Sequence, residues 1–544
     1  MPARNGNTPL TASIQRIFAA HRTAERTGIP VDDVLAQEAE RGALTRRNVL
    51  KGATILGAAG LVGVTGDRLS ASAATVTGSG NNTPSVVIIG AGLAGLRAAH
   101  WLYTVKGVRS TIYEGNTRAG GRCWSLRDYF DDGAVVEHGG AFINKDHSGI
   151  RSLANSLGLK LVKADGGSYQ AQGDKYYIDG AEYLYSTAKD DWAAVWQTFK
   201  NALQSAPFSQ TFDNNTPAGV AIDNMTVNEW IAGNIPGGLS SKFGKLMQSN
   251  VIAEYGLDPD QQSALNLIYL LGWNTQSTLE PINGADERFV VEGGNDQIVT
   301  GLIAALPAGT IQYGKKLIAV KTQNDGSVTC SFQSGNTISD VTAGKVILAL
   351  PFTTLRDCDL TQSGFSSLKK RAITEMDLGA NAKLHVQVRT RPWVAQGYGG
   401  SSYTNMSGYQ CGWDDTAASP LPKGVFNFFP GGRQVTSGWT GQAFGPGPAT
   451  QVTAYLAQVE PVFPGMTAAY TGKSYRDVWH LNEWTKGAYT CPKPGQYTSL
   501  LGVGAVRSGN VHFAGEHTST EFFGFLNGAV ESGERAGKEV VGIA

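Results

Sequence analysis

The chain has 544 residues, with 45 basic and 45 acidic side chains and no net charge. That length is enough for two or three domains around sizeable cores, and the charge balance gives no footprint for nucleic acid or for an acidic partner. The five cysteines (Cys123, Cys330, Cys358, Cys411 and Cys491) are scattered and contain no Cys-x-x-Cys pair, which indicates neither a disulfide framework nor a metal site.

Residues 1–44 are polar and charged. Thr45-Arg46-Arg47-Asn48-Val49-Leu50-Lys51 then leads into a glycine-rich apolar run over 53–64 and the small residues Ala71-Ser72-Ala73. This is the layout of a twin-arginine signal with a peptidase site near Ala73. It implies a bacterial protein exported by the twin-arginine machinery to the periplasm or the extracellular space, and residues 1–73 are set apart from the fold. The apolar run is well short of the ~20 residues that a membrane-spanning helix needs.

The remaining chain opens on Val86-Val87-Ile88-Ile89, a buried strand, followed by Gly90-x-Gly92-x-x-Gly95 and a helix through Leu96, Ala99 and Leu102. A second strand over 108–113 delivers Glu114. Strand, glycine turn, helix and acid in that order are the dinucleotide-binding fingerprint. The turn lets backbone amides approach a pyrophosphate at the helix N-terminus, and Glu114 accepts hydrogen bonds from a ribose diol. Two glycine-rich stretches follow, Arg118-Ala119-Gly120-Gly121-Arg122 and Glu137-His138-Gly139-Gly140-Ala141-Phe142. They suggest backbone running close past a ligand, although two surface turns would read the same way.

Residues 148–285 mix helical patterns at 150–157, 190–203, 227–231 and 241–251 with polar loops, as a mostly helical inserted substrate domain would. From Arg288 a strand, a glycine turn and a helix over 298–306 return, then short strands at 317–322 and 328–332 and a buried strand from Lys345. Residues 376–475 are rich in strands, beginning with Lys383-Leu384-His385-Val386-Gln387-Val388. The chain closes with a short strand ending at Ala514-Gly515-Glu516, then Phe523-Gly524-Phe525-Leu526-Asn527-Gly528-Ala529 and a helix over 530–541. The nucleotide domain is therefore expected in three pieces (84–147, 286–375 and 476–544), with the substrate domain in two (148–285 and 376–475). The fold class is α/β: a Rossmann-like domain with an inserted α+β domain.

With these motifs in this order, residues 84–544 resemble the flavin-containing amine oxidase family, which includes monoamine, polyamine and L-amino-acid oxidases. The resemblance implies FAD as cofactor. It places Gly90, Gly92, Ala94 and Gly95 at the pyrophosphate, Glu114 at the adenosine ribose, and Gly121 and Arg122 at the phosphates or flavin. Gly139, Gly140 and Ala141 would run beside the isoalloxazine, the Leu317 backbone would pair with adenine, and Glu516 would lie near the pyrophosphate and ribityl chain. The Leu526 amide would meet the flavin N1–C2 edge, where a helix N-terminus suits the charge of the reduced ring. Lys383 matches the lysine that holds a water against flavin N5; the alternation Lys383, His385, Gln387 also permits a solvated edge strand. Tyr489 and Phe525 match the two aromatic walls of the amine site, with Phe142 and Trp393 as further candidates. Ala488 stands where monoamine oxidases carry a flavin-linked cysteine, so FAD is expected to be non-covalent. The resemblance allows a homodimer and gives no metal.

The reaction so implied is oxidation of a primary amine to an imine, hydrolysed to aldehyde and ammonia, with dioxygen reduced to hydrogen peroxide. An L-amino-acid oxidase is the alternative. It needs a cation for the substrate carboxylate, and Ala141-Phe142-Ile143-Asn144-Lys145 contains no arginine, leaving Lys145, His147 or Arg151 as substitutes. A non-catalytic flavoprotein or a nicotinamide-linked reductase is the third and disfavoured reading, since a reductase using both cofactors would usually show two nucleotide fingerprints.

Overall fold

In the computed structural model, which describes residues 85–165, 173–280, 286–419 and 421–543, Val86–Ile89 is the central strand of a five-stranded parallel sheet. All four of its residues are buried, as expected of a parallel strand covered on both faces. On one side it pairs with Lys345–Leu348 and then Val511–Phe513; on the other with Ser110–Tyr113 and then Ile311–Gln312. Three distant stretches of chain thus build one sheet. The export signal expected within residues 1–73 lies outside the described residues.

The helix Leu93–Lys106 starts at Gly92 and ends at Gly107, whose φ of 68° stops it in a left-handed cap. It packs against Leu526–Val540 through small residues. At Gly533 a Cβ would lie 2.2 Å from the Ala94 carbonyl oxygen, so only glycine permits this approach.

The second sheet has eight strands, in the order Phe444–Pro446, Tyr470–Val478, Ala382–Val388, Gly424–Phe429, Cys411–Asp414, Ser402–Thr404, Lys175–Ile178 and Ala181–Glu182. Helices Tyr185–Ser205, Val227–Asn234, Lys242–Tyr255 and Ala264–Leu271 supply most of the hydrophobic layer on it. The stretch 148–285, expected to be mostly helical, also holds strands: Lys175–Ile178 and Ala181–Glu182 join the second sheet, and the first pairs in parallel with Ser402–Thr404. Such short runs between polar loops carry too few residues to show a period of two. The boundary expected at 475 falls inside Tyr470–Val478, a strand that pairs with Ala382–Val388 on one side and Phe444–Pro446 on the other within the eight-stranded sheet. Among the described residues, no helix is long and apolar enough to cross a membrane.

Candidate active site

The nucleotide fingerprint forms a cradle. Gly90 takes φ +102°, and its N–H donates to the Tyr113 carbonyl at 2.8 Å. Glu114, at the end of the neighbouring strand, accepts the Ala91 and Asn116 N–H groups at 2.7 Å each. Burial raises its pKa, and those two amides work against the rise. Ala94 and Gly95 lie buried in the first helical turn, and no side chain caps that turn. At Gly92 a Cβ would meet nothing within 4 Å, while Gly121 lies against its Cα. Arg118 holds the Gly121 carbonyl at 2.8 Å. Leu317 is 7% exposed, and its carbonyl accepts the Cys358 thiol at 3.3 Å.

The second glycine stretch is fixed from three sides. Gly140 donates to the Arg122 carbonyl at 3.1 Å, and Asn295 Nδ2 donates to the carbonyls of Gly140 and Ala141 at 3.0 and 2.8 Å. Lys383 is 4% exposed, and its Nζ donates to the carbonyls of Glu137 and Gly139 at 2.8 Å each. Trp479 donates to the His138 carbonyl between them at 2.8 Å. The solvated-edge reading of Lys383 is therefore wrong. All seven residues of Ala382–Val388 are buried, and the polar alternation marks a face turned toward residues 131–139. On that face the His138 ring donates to Asp477 at 2.5 Å. His385 donates to Asp477 at 3.0 Å and to Asp415 at 2.6 Å. Trp413 donates to the second Asp415 oxygen at 2.6 Å. Burial opposes charge on His385, but Asp415 and Asp477 outweigh it and raise its pKa; His138 and His385 likewise hold Asp477 low.

Arg122 joins the chain's last segment to the first. It donates to the Ala488 carbonyl at 2.7 Å and to Glu516 at 2.9 Å, and the other Glu516 oxygen accepts the Gly524 N–H at 2.6 Å. Burial pushes against the Glu516 charge, yet Arg122 and His517 hold its pKa down. Gly524 abuts the Tyr489 ring, with a Cβ position 3.6 Å from its Cδ2, so Phe525 and Tyr489 stand on touching loops. The Tyr489 hydroxyl donates to the Ala253 carbonyl at 3.2 Å. Phe525 is backed by His147 at 4.9 Å, whose pKa burial pushes down to about 4. Phe142 lies 5.6 Å from Trp413, which is 5.9 Å from Lys383 Nζ. Trp393 belongs elsewhere: it is fully buried against Phe426 and Phe463 in the core of the second sheet.

The chain matches the family model for flavin containing amine oxidoreductases over residues 93–541. It belongs to that family. This oxidoreductase is 24% identical over 479 residues to an L-amino acid dehydrogenase of Synechocystis sp., covering 84% of this chain and 94% of the relative. It is 25% identical over 480 residues to flavin-containing amine oxidase A of Bos taurus, covering 84% of each. Among solved structures, cyclohexylamine oxidase from Brevibacterium oxydans aligns with a TM-score of 0.72 at 22% identity, over 84% of this chain and 98% of that one. That likeness is one of fold.

A flavin fits the oxidoreductase's residues. The open space at Gly92 faces an uncapped helix end. Both ring nitrogens of His517, next to Glu516, are buried without a partner, and burial lowers its pKa to about 4. The N-terminus of Leu526–Val540 also has no side-chain cap. Unmet donors at two helix ends suit a group rich in acceptors. Sequence reasoning missed the His138–Asp477–His385–Asp415–Trp413 line, although His138 sits inside a quoted motif and His385 two residues past Lys383.

Proposed function

We propose that the chain oxidises a primary amine to an imine using non-covalently bound FAD, with dioxygen reduced to hydrogen peroxide. The observation that carries this reading over the amino-acid alternative is where the nearby cations are engaged. Arg151 donates to the Lys145 carbonyl and lies over the Phe289 ring at 5.2 Å. Arg288 pairs with Asp286 at 3.2 Å, Lys145 is exposed, and burial pushes the His147 pKa down to about 4. A substrate carboxylate finds no ready partner there. The relatives named as acting on L-amino acids keep the second reading, an L-amino-acid oxidase, as the arm to test against.

When bound, FAD would accept the hydride equivalent from the amine-bearing carbon and hand two electrons to dioxygen. The protein's own part is positional. Tyr489 and Phe525 would orient the amine and disfavour its ammonium form by desolvation. Lys383 has three N–H donors, of which two are spent on the Glu137 and Gly139 carbonyls, and the third would hold a water in the site. The uncapped amides at Leu526 would favour negative charge beside them. R-CH2-NH2 loses two electrons and two protons to give R-CH=NH; dioxygen takes both pairs, and water releases aldehyde and ammonia from the imine.

A steady-state peroxide assay over matched primary amines and L-amino acids tests the reading, and turnover confined to amino acids overturns it. Because Ala488 offers no thiol, denatured protein should release all of its flavin as FAD, and colour retained on the precipitate would contradict this. We further propose export of a bacterial precursor by the twin-arginine route. Replacing Arg46 and Arg47 with lysine should then leave uncleaved precursor in the cytoplasm, and unchanged export would rule the route out.

A further inference from the structure

We propose that His138 and His385 are positioning residues that occupy both oxygens of Asp477 and so keep that carboxylate from pairing with Lys383. The lysine's charge and its third N–H are then left to the site. This rests on the amine-oxidation reading above, in which Lys383 borders the flavin, and adds what keeps it there. Lys383 and Asp477 are direct cross-strand partners where Ala382–Val388 pairs with Tyr470–Val478. Side chains at such positions share one face, with Cβ atoms about 4.5–5.5 Å apart, and opposite charges there attract. Both residues are buried, Asp477 completely, and an ammonium donates more strongly to a carboxylate than to a neutral carbonyl. Asp477 is thus the natural partner of Lys383. The partners it takes are instead the carbonyls of Glu137 and Gly139, at 2.8 Å each. Among the described residues no ion pair joins Lys383 to Asp477, whose ion pairs are with His138 and His385.

The carboxylate is held from two directions. His138 Nδ1 donates to Oδ1 at 2.5 Å, with its ring stacked on Trp124 at 3.6 Å. Trp479 fixes the backbone of the same histidine through its carbonyl. His385 Nε2 donates to Oδ2 at 3.0 Å. Its Nδ1 donates to Asp415 at 2.6 Å, and Trp413 holds the second Asp415 oxygen at 2.6 Å. Both nitrogens of His385 face carboxylates, so both must carry protons to donate. The ring cannot leave Asp477 without also giving up Asp415. Two buried anions share this one cation, and Lys383 is left facing neutral acceptors.

The test separates the two nitrogens of His385. In H385N the amide nitrogen can stand in for Nδ1, which keeps the donor to Asp415 and releases Asp477 Oδ2. In H385Q it can stand in for Nε2, which keeps the donor to Asp477. Crystal structures and stopped-flow reoxidation by dioxygen are compared for the flavin-loaded parent, both variants and H385N/D477N. H385N should bring Lys383 Nζ within about 4 Å of Asp477. It should also slow reoxidation about tenfold or more, part of the loss expected when such a group is removed outright. H385Q, and H385N/D477N with its competing carboxylate gone, should recover most of that rate. A purely structural role for His385 would leave H385N and H385Q alike and the double variant slower still. H138F keeps a ring against Trp124 and frees Asp477 Oδ1, so it repeats the test from the other side should H385N fail to fold. Equal rates in H385N and H385Q, or Lys383 still on the Glu137 and Gly139 carbonyls in H385N and H138F, overturns the assignment. If K383M is reoxidised as fast as its parent, the placement of Lys383 beside the flavin fails instead, and the crystal structures still decide which partner the lysine takes.

Discussion

Replacing Lys383 with methionine is expected to slow flavin reoxidation by dioxygen by about 10²–10³-fold, the usual loss when one preorganised electrostatic group is removed. Reduction by the amine should be less affected, because on the proposed placement negative charge would develop beside Lys383 when dioxygen is reduced. Methionine keeps the apolar stem, but the Glu137 and Gly139 carbonyls lose their shared donor. A second, smaller effect should therefore appear as lower thermal stability, since unmet buried acceptors cost about 1–3 kcal/mol each. Stopped-flow traces separate the two half-reactions. Reoxidation as fast as in the parent with reduction collapsed would make Lys383 a substrate-side group.

Asp477→Asn is expected to cost about 3–5 kcal/mol of stability, as breaking a buried ion pair from one side does. Asp477 is completely buried between His138 and His385, and the substitution leaves a buried imidazolium facing a neutral amide. The pH profile follows from the signs. Asp477 is held below its ordinary value of 3.8, so its contribution is present above that pH and is lost as pH falls through the lower folded value. His385 is held above its ordinary 6.5, so its contribution is complete below 6.5 and fades as pH rises through the higher folded value. This network thus contributes most between those two pH values, and Asp477→Asn should flatten the maximum. Thermal unfolding from pH 3 to 9 measures it; a variant within about 1 kcal/mol of its parent, with the same profile, would remove the network from the stability argument.

The nucleotide cradle was legible because its rules are local. Val86–Ile89, Gly90-x-Gly92-x-x-Gly95 and Glu114 lie within one βαβ unit, where spacing alone dictates geometry. The Lys383 strand was half legible. Its alternation was visible, but whether the polar face met water or Glu137–Gly139 depends on contacts between residues more than 200 positions apart. The same holds for Asp477, which pairs in register with Lys383 and gave no sequence signal. Ala264–Leu271 is buried at every position, and a helix without a wet face shows no 3.6-residue period.

The contact between Ala94 and Gly533 has a consequence for how the protein is made. The helix that opens the nucleotide cradle can be covered only when the last helix has left the ribosome, and the outer strand Val511–Phe513 is nearly as late. At about 5–20 residues per second, on the order of 20–90 s separate the synthesis of the two partners. During that interval the small-residue face of Leu93–Lys106 is uncovered, and Arg122 has no Glu516 to meet. A nascent chain stalled short of residue 511 should therefore fail to retain flavin, and loading becomes an event that follows completion of the chain.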